Sequence, residues 1–556
     1  MHAPPRLPVL LVTLAALILP GSAALAVPDR ATGAVGQAGR PQAPVGDGTA
    51  GRLEPGAGSI AWEPCPTDAT ADCGTLRVPV DWDNPGAGSF ELAIARRRAT
   101  DPAARIGSLV VNPGGPGSPG TGFAMRARGY FSAELNRRFD IVGFDPRGVG
   151  RSHPVICSSA ALAATPVATP TNQAEFEQLR EANGKLAQDC RAHTGPLYDH
   201  VDTLSVVRDI DALRAALGDE ALSFYGLSYG TLMGQQYAEQ FPDRVRAIVV
   251  DSNMDHSVDT EGFLDSQALA AQDSFNEFVA GCRPDPGCAL YGQDIQRIWS
   301  DLLARARRGE LYDPPEQTYR ITEHTLINMA FGSFYRPRWS ELATNIKSLH
   351  NGRPSGPGAA RAAASAALRA AGSTSWRPQA AAAGPGPSVA PYPFRAIFCQ
   401  DWSLPVRDYP DLARHLSRMA ALAPDMPYSP LALGALLGCV GGPEQVNNPQ
   451  HRLRVAPTSR PLLVVNALHD PATGYPWAVS AAEQLGDRAV LVAYEGWGHG
   501  VYGRGPCATG VIDRYLVAGA VPAAGTSCPA DGATTPAPST APAVPTGPRP
   551  NIAGWS

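Results

Sequence analysis

The chain has 556 residues, of which 46 are basic and 51 acidic, for a formal net charge of −5 at neutral pH. This mild balance, without a basic patch or run, argues against nucleic acid as a partner. The length exceeds that of one ordinary domain, and a single core carrying an inserted cap can account for most of it.

The first 26 residues are typical of an export signal. They combine a charged start, an apolar stretch over residues 7–19 and the small-residue pattern Ala-Leu-Ala at 24–26. The apolar stretch is too short for a membrane span and no later run approaches its length, so we expect no span in the mature chain. Residues 27–59 are rich in Gly, Ala and Pro, which predicts a loose segment or a propeptide.

An early strand, residues 108–112, is followed by a glycine-rich loop, Pro-Gly-Gly-Pro-Gly at 113–117. Such a loop lets backbone amides approach a substrate closely. It also contains Gly-x-Gly-x-x-Gly at 115–120 with Asp140 or Asp145 further on, as a dinucleotide site requires. Against that alternative, Pro116 and Pro119 remove amides that would hold a pyrophosphate, and the following residues do not open an evident helix.

The segment Gly-Leu-Ser-Tyr-Gly at 226–230 is the most informative motif. It stands between an apolar run at 221–225 and a helix-like run at 231–240. Gly-x-Ser-x-Gly at a strand-to-helix turn is the nucleophile elbow, which makes Ser228 the candidate nucleophile. A chance match in a chain with 57 Gly is the alternative. Catalysis by such a serine needs two backbone amides that donate hydrogen bonds to the oxyanion. We expect these to be the amides of Tyr229 and of Gly115 or a glycine one position away.

Before the elbow, a helix is expected to begin with Thr203 as its N-cap. After the elbow helix comes a strand at 245–251. The parallel-strand pattern then stops and returns near Phe394. The interval holds helical patterns at 260–279, 294–307 and 321–331 and an Ala/Gly/Pro-rich stretch at 351–391. We therefore predict a mostly helical cap at 254–394, inserted into a core formed by 60–253 and 395–528. The Pro/Ala/Thr-rich tail, 529–556, is predicted to be disordered.

Two late strands supply the partners that a nucleophilic serine needs. Asp470 follows the apolar run 460–466, and His499 follows the run 489–494 in a glycine-flanked loop. The order Ser, Asp, His is the one found in α/β-hydrolases. His469 is a rival base and Glu495 a rival acid, and Asp470 could instead begin a turn at the Asp-Pro dipeptide.

Ten cysteines in an exported chain suggest five disulfides. Short separations favour local bridges, and we predict sequential pairing: Cys65 with Cys73, Cys157 with Cys190, Cys282 with Cys288, Cys399 with Cys439 and Cys507 with Cys528. No Cys-x-x-Cys or completed zinc pattern is present, so we expect neither a metal nor a cofactor.

Several of these motifs together resemble a known family. They are Asn-Pro-Gly-Gly-Pro-Gly at 112–117, Phe-Asp-Ile-Val-Gly-Phe-Asp-Pro-Arg-Gly-Val-Gly-Arg-Ser at 139–152, the elbow, Ala-x-x-Asp-Pro-x-Thr at 467–473 and Gly-His-Gly at 498–500. The chain resembles, from Ile60 to Cys528, the secreted tripeptidyl aminopeptidases of actinobacteria, serine exopeptidases related to prolyl aminopeptidases. Pro113 replaces the histidine of the prolyl enzymes, a departure that the tripeptidyl group shares. The resemblance implies that Ser228 is the nucleophile, Asp470 the orienting acid and His499 the general base.

The sequence thus predicts an α/β-hydrolase fold, a mostly parallel sheet flanked by helices, in a secreted, extracellular bacterial serine exopeptidase. The resemblance implies release of tripeptides from a peptide or protein with a free N-terminus, and we expect a monomer. An exopeptidase needs an anion for the substrate ammonium, and the candidates are Asp401, Glu261 and Asp265. Asp273 and Glu277 lie on the same helix as the latter two, and an ordinary solvated helix face is the alternative for most of these acids. Other hypotheses are an esterase or lipase on the same triad and a catalytically silent exported binding protein.

Overall fold

The computed structural model describes residues 59–313, 319–352, 388–443, 446–457 and 460–530. The predicted export signal and loose N-terminal segment, most of the Ala/Gly/Pro-rich stretch and nearly all of the tail lie outside these residues.

A ten-stranded sheet forms the centre, in the order β1-β2-β3-β5-β4-β7-β8-β10-β11-β12. Strands β1 to β3 and β5 pair antiparallel at one side, and the sheet is parallel from β5 to β12. The strands are β1 Glu63–Cys65, β2 Asp68–Pro79, β3 Ser89–Arg97, β4 Gly107–Asn112, β5 Phe139–Phe144, β7 Leu222–Leu227, β8 Val245–Asp251, β10 Leu462–His469, β11 Ala489–Trp497 and β12 Ser527–Pro529. A separate ribbon pairs β6 Ile156–Ser158 with β9 Val389–Pro391.

Helices cover both faces of this sheet, as the sequence predicts. The described helices are α1 Gly120–Met125, α2 Ala127–Tyr130, α3 Ala133–Arg138, α4 Ser159–Ala164, α5 Gln173–Thr194, α6 Thr203–Ala216, α7 Gly230–Gln240, α8 Thr260–Cys282, α9 Ile295–Arg307, α10 Glu323–Tyr335, α11 Trp339–Asn351, α12 Pro393–Asp401, α13 Tyr409–Leu422, α14 Pro430–Cys439, α15 Tyr475–Leu485 and α16 Pro506–Ala518.

The central strands read as continuous apolar runs because both of their faces are buried. Every residue of β4 and β5 is buried. Successive residues alternate between two cores, so Val110 packs in one and its neighbours Leu109 and Val111 pack in the other. The predicted mostly parallel α/β architecture is confirmed.

Four helices, α8 to α11, which we call the insertion helices, share a third core centred on Phe275, Trp299 and Phe331. The three predicted helical patterns in this region are confirmed with shifted ends. Helix α11 was missed, although Leu342, Ile346 and Leu349 mark its buried side at helical spacing.

Three local predictions were wrong. The strand expected near Phe394 is the helix α12, and the sheet resumes only at β10. The run 396–399 is buried throughout, and a short apolar run does not distinguish a strand from a buried helix. A short helix, α1, does begin at Gly120, and the N-cap of α6 is Asp202 rather than Thr203.

The five predicted disulfides are confirmed, each in the predicted pairing. Among the described residues no cysteine is free. Within the same part of the chain, no helix has the length and apolar character that crossing a bilayer requires.

Candidate active site

The turn between β7 and α7 has the strained geometry of a nucleophile elbow. Ser228 takes a φ of +58°, a conformation that residues with a Cβ seldom adopt, and it is partly exposed. A Cβ on Gly226 would overlap the carbonyl oxygen of Gly230, and one on Gly230 would lie 2.8 Å from Asn112 Oδ1. Both glycines are therefore required for the bend that presents the Ser228 side chain.

His499 and Asp470 form a close pair in loops at the same edge of the sheet. His499 Nδ1 lies 3.0 Å from both carboxylate oxygens of Asp470. The amides of Ala472 and Thr473 donate to Asp470 Oδ1 at 2.8 and 2.9 Å. Burial alone would raise the pKa of Asp470, but the charge and hydrogen bond of His499 and these amides hold that pKa below its usual value. The carboxylate is thus built to stay ionised beside Nδ1, which leaves Nε2 for proton transfer.

Asp251, which the sequence analysis did not single out, ties the two halves of this site together. Its carbonyl oxygen accepts from the amide of Ser228 at 2.9 Å. Its carboxylate accepts from the amides of Val501 and Tyr502, just after His499, at 2.8 and 2.9 Å, and from the hydroxyl of Tyr225 at 2.7 Å. Burial raises the pKa of Asp251 in spite of these donors. The position of Asp251 at the end of β8 was its only sequence signal.

The loop after β4 packs directly on the elbow. A Cβ on Gly114 would overlap the carbonyl oxygen of Leu227 and lie 2.9 Å from the amide nitrogen of Tyr229. Gly115 follows with a φ of +121°, which favours glycine. The two segments that carry the predicted oxyanion donors, Tyr229 and Gly115, are therefore side by side, with Gly114 in closest contact.

The insertion helices reach the His499 loop at the end of α10. The amide of His499 donates to the carbonyl oxygen of Tyr335 at 2.9 Å, and the two rings meet edge to face with centroids 5.2 Å apart. A Cβ on Gly498 would lie 2.6 Å from the same carbonyl oxygen. The end of α10 is therefore packed directly against His499, the candidate base.

Asp401 does not have the environment expected of an acid that binds substrate. It is fully buried, and its oxygens accept from the amide and hydroxyl of Thr203, the hydroxyl of Tyr229 and the side-chain amide of Asn448, at 2.6 to 2.9 Å. Burial, with the nearby charge of Asp202, raises the pKa of Asp401 to about 7. Asp401 holds the Tyr229 side chain from beneath the elbow.

Glu261 and Asp265 are also engaged elsewhere. Both lie near the start of α8 and pair with arginines of α13, Glu261 with Arg414 at 3.0 Å and Asp265 with Arg418 at 2.7 Å. Asp265 precedes Asp273 by eight residues, which is about 12 Å along a helix. These surroundings fit a helix-to-helix ion-pair network better than an ammonium site.

Two later acids of α8 contact the loops that carry Asp470 and His499 instead. Asp273 Oδ2 lies 2.8 Å from His469 Nδ1, and Trp497 Nε1 donates to Glu277 Oε2 at 2.8 Å. His469 and Trp497 are neighbours of Asp470 and His499 in sequence. Burial opposes a charge on His469, but Asp273 and Glu277 outweigh it and raise the pKa of that imidazole. His469, the rival base, therefore pairs with Asp273. Glu495, the rival acid, accepts a hydrogen bond from the hydroxyl of Ser527 at 2.6 Å.

Asp273, Glu277 and His469 together could also hold a cation. Asp273, Glu277 and His469 each offer one ligand atom, and these atoms lie within 4.8 Å of one another. The three side chains are only partly buried. Two carboxylates suit an organic ammonium, which donates hydrogen bonds in varied geometries, although the raised pKa of His469 places a competing positive charge beside Asp273.

Known proteins resemble the chain across the whole of this site. A profile described as alpha/beta hydrolase fold matches residues 107–506. The serine protease Hip1 of Mycobacterium tuberculosis is 32% identical over 86% of this chain and 93% of its own. The tripeptidyl aminopeptidase of Streptomyces lividans is 28% identical over 84% of this chain and 86% of its own. Carboxylesterase B of Mycobacterium tuberculosis is 31% identical over 83% of this chain and 86% of its own.

Proposed function

Because the chain belongs to the alpha/beta hydrolase family and is a serine peptidase of that type, we propose that it is a secreted exopeptidase that releases short peptides, principally tripeptides, from free N-termini. The single observation that supports serine catalysis is the pairing of His499 Nδ1 with the Asp470 carboxylate at 3.0 Å. Asp251 joins the His499 loop to the strained Ser228.

In this proposal the triad works through an acyl-enzyme. Ser228 Oγ attacks the scissile carbonyl while His499 Nε2 takes its proton, and the same imidazole then gives that proton to the leaving amine. Asp470 keeps the proton of His499 on Nδ1 and stabilises the imidazolium. The amides of Tyr229 and Gly115 stabilise the oxyanion, at about 3 kcal/mol for each donor. Water then repeats the sequence to release the N-terminal peptide.

The preference for a free N-terminus rests on Asp273 and Glu277. An exopeptidase must hold the substrate's α-ammonium at a fixed distance from the nucleophile. These carboxylates contact His469, directly before Asp470, and Trp497, two residues before His499. They replace Asp401, Glu261 and Asp265 in our proposal, because Asp401 is fully buried and Glu261 and Asp265 pair with arginines of α13, whereas Asp273 and Glu277 contact the loops that carry Asp470 and His499.

A panel of four substrates tests this function. The purified mature protein is given a tripeptidyl nitroanilide, its N-acetylated form, a single-residue nitroanilide and a short-chain nitrophenyl ester. We expect the free tripeptide to be preferred, and acetylation to lower kcat/KM by roughly a thousandfold, because it leaves the ammonium site unpaired. Equal cleavage of acetylated and free peptides would remove the exopeptidase assignment.

An esterase is the second candidate, favoured by the likeness to carboxylesterase B. The triad does not choose the leaving group, so the same panel decides between the two functions. A preference for the nitrophenyl ester, without sensitivity to an N-terminal charge, would identify an esterase on the same three residues.

Export is the remaining part of the proposal. Five disulfides suit an oxidising compartment. Expression of the full chain in an actinobacterial host should place the active protein in the medium, with a new N-terminus near Val27. Recovery of the uncleaved chain inside the cells alone would contradict export.

A further inference from the structure

We propose that a cavity between α5, α12 and α14 is a second ligand site, which takes a small carboxylate with an apolar body and holds it on Arg395. The cavity is partly open to solvent and is lined by residues of all three helices. None of Ser228, Asp470, His499 or the loop 113–117 lines it, but Phe398 of its wall packs against Tyr229, with ring centroids 6.1 Å apart, so the cavity adjoins the elbow.

The walls of the cavity are mostly apolar. Leu179 of α5, Phe394 and Phe398 of α12 and Leu437 of α14 line it. Val167, in the connection between α4 and α5, also lines the cavity and is exposed. These walls suit a hydrocarbon or aromatic body.

Among the described residues that line the cavity, Arg395 is the only one with a charged side chain. It is 7% exposed, and its Nη2 donates to the carbonyl oxygen of Asn183 at 2.9 Å. Its Nη1 is buried and has no acceptor, and no described carboxylate pairs with this guanidinium. Burial lowers the pKa of Arg395. A buried charge without a partner is costly, and an anion bound in the cavity would remove that cost.

Arg147 shows how this protein treats a buried arginine that has only a structural role. Arg147 is fully buried, and two of its nitrogens donate to the carboxylate of Asp209 at 2.7 Å each. Its other donors reach the carbonyl oxygens of Val80, His200 and Pro79. Arg395 has no such acid, and the difference points to a ligand that supplies one.

The segment that precedes β9 and α12 supplies no such acid, since residues 353–387 contain no Asp or Glu. A single guanidinium among apolar walls matches one negative charge, which favours a monocarboxylate over a phosphate. Such a carboxylate is found on a fatty acid and on the C-terminus of an apolar peptide, and the experiment below separates these two sources.

Binding is measured by calorimetry and by thermal melting with hexanoate and with acetyl-phenylalanine, representing the two sources. Hexanol, hexylammonium and acetate test the need for the charge and for the body. We expect saturable binding and a raised Tm with at least one of the two carboxylates, and no effect of the other three probes. Arg395→Met should weaken that binding at least tenfold, whereas Arg180→Met, an exposed arginine of α5 paired with Glu177, should not change it.

The stability of the ligand-free variant separates a binding role from a structural one. Removing an unpaired buried charge should leave the Tm of Arg395→Met unchanged or raised. Either of two results would overturn the site: no saturable binding of hexanoate or acetyl-phenylalanine at millimolar concentration, or a lowered Tm of Arg395→Met with undiminished binding. Peptidase activity is not the readout, so failure of this site and failure of the proposed function are distinguishable.

Discussion

Ser228 keeps a left-handed backbone conformation that costs a residue with a Cβ about 1–3 kcal/mol, and this strain serves to expose its hydroxyl. We expect Ser228→Ala to lower turnover by about a millionfold, since the nucleophile of a triad is removed. The thermal melt should be nearly unchanged, because alanine occupies the same turn without new contacts. Fluorophosphonate labelling and steady-state kinetics check both points, and a labelled, active variant would remove Ser228 from the mechanism.

In the proposed mechanism Asp470 orients His499 through one pair of contacts, so an amide in its place should disturb the imidazole more than the fold. Asp470→Asn should lower kcat by about four orders of magnitude, because the amide favours the wrong tautomer of His499. Glu495→Gln is the matched control, since Glu495 bonds Ser527 rather than His499. If the loss appeared in the Glu495 variant and not in the Asp470 variant, the orienting acid would be Glu495.

We expect Asp401 to make the stability of the fold depend on pH, an effect that can be measured in the absence of substrate. Its pKa is raised to about 7 in the folded protein from the ordinary value of an aspartic acid, about 3.9, so its contribution to stability is complete below about pH 4 and is lost as pH rises to about 7. Asp401→Asn cannot titrate. Relative to this variant, the wild type should lose roughly 1 kcal/mol for each pH unit in that window.

Melting curves of the wild type and of Asp401→Asn from pH 4.5 to 8 test this expectation. The gap between the two Tm values should change through the window and become constant above pH 7. Parallel curves would show that Asp401 is ionised in the fold at every pH, held by the donors from Thr203 and Tyr229.

Helix α8 illustrates how one element serves two purposes along its length. Glu261 and Asp265 pair with α13, whereas Asp273 and Glu277, spaced by four residues on one face, meet the catalytic loops. We expect Glu277→Gln to raise KM for a free tripeptide substrate roughly ten- to a hundredfold, the value of one hydrogen bond to a charged group. The kcat should change little, because the ammonium is bound equally in the ground and transition states.

Glu261→Gln is the control on the same helix, and it should leave the kinetics unchanged. The N-acetylated substrate provides a second control, because it has no ammonium for Glu277 to bind. A KM that rises equally for free and acetylated substrates would mean that Glu277 shapes the pocket through Trp497 and does not bind the N-terminus.

Elements with a local signal could be predicted from the sequence. The strand β8 was predicted to the residue, and the elbow, the late strands and the helix α6 within a few positions. The α12 segment was misread because its apolar run lacks a period. Asp251 and the true surroundings of Asp401 could not be predicted, since their partners lie 250 and 198 residues away.

At the scale of the whole molecule, the site gathers segments from the full length of the described chain. The loop after β4, the elbow, the end of β8, the two late loops and the insertion helices meet at the carboxyl edge of the parallel strands, where open α/β sheets bind ligands. The disulfides stabilise this assembly outside the site: Cys399 joins Cys439 between α12 and α14, and Cys507 joins Cys528 between α16 and β12.

The disulfides also give a prediction about stability that depends on how much chain each one closes. The Cys399–Cys439 bridge spans 40 residues and the Cys282–Cys288 bridge spans 6. In the chain-entropy account these loops correspond to about 4 and about 2 kcal/mol. Replacing both cysteines of the long bridge by serine should therefore lower the urea midpoint more than the same change in the short bridge. The two variants are compared under one condition, with activity measured at low urea to confirm that each has folded. Equal losses, or a larger loss for the short bridge, would show that native contacts within the insertion helices outweigh the entropy of the unfolded chain.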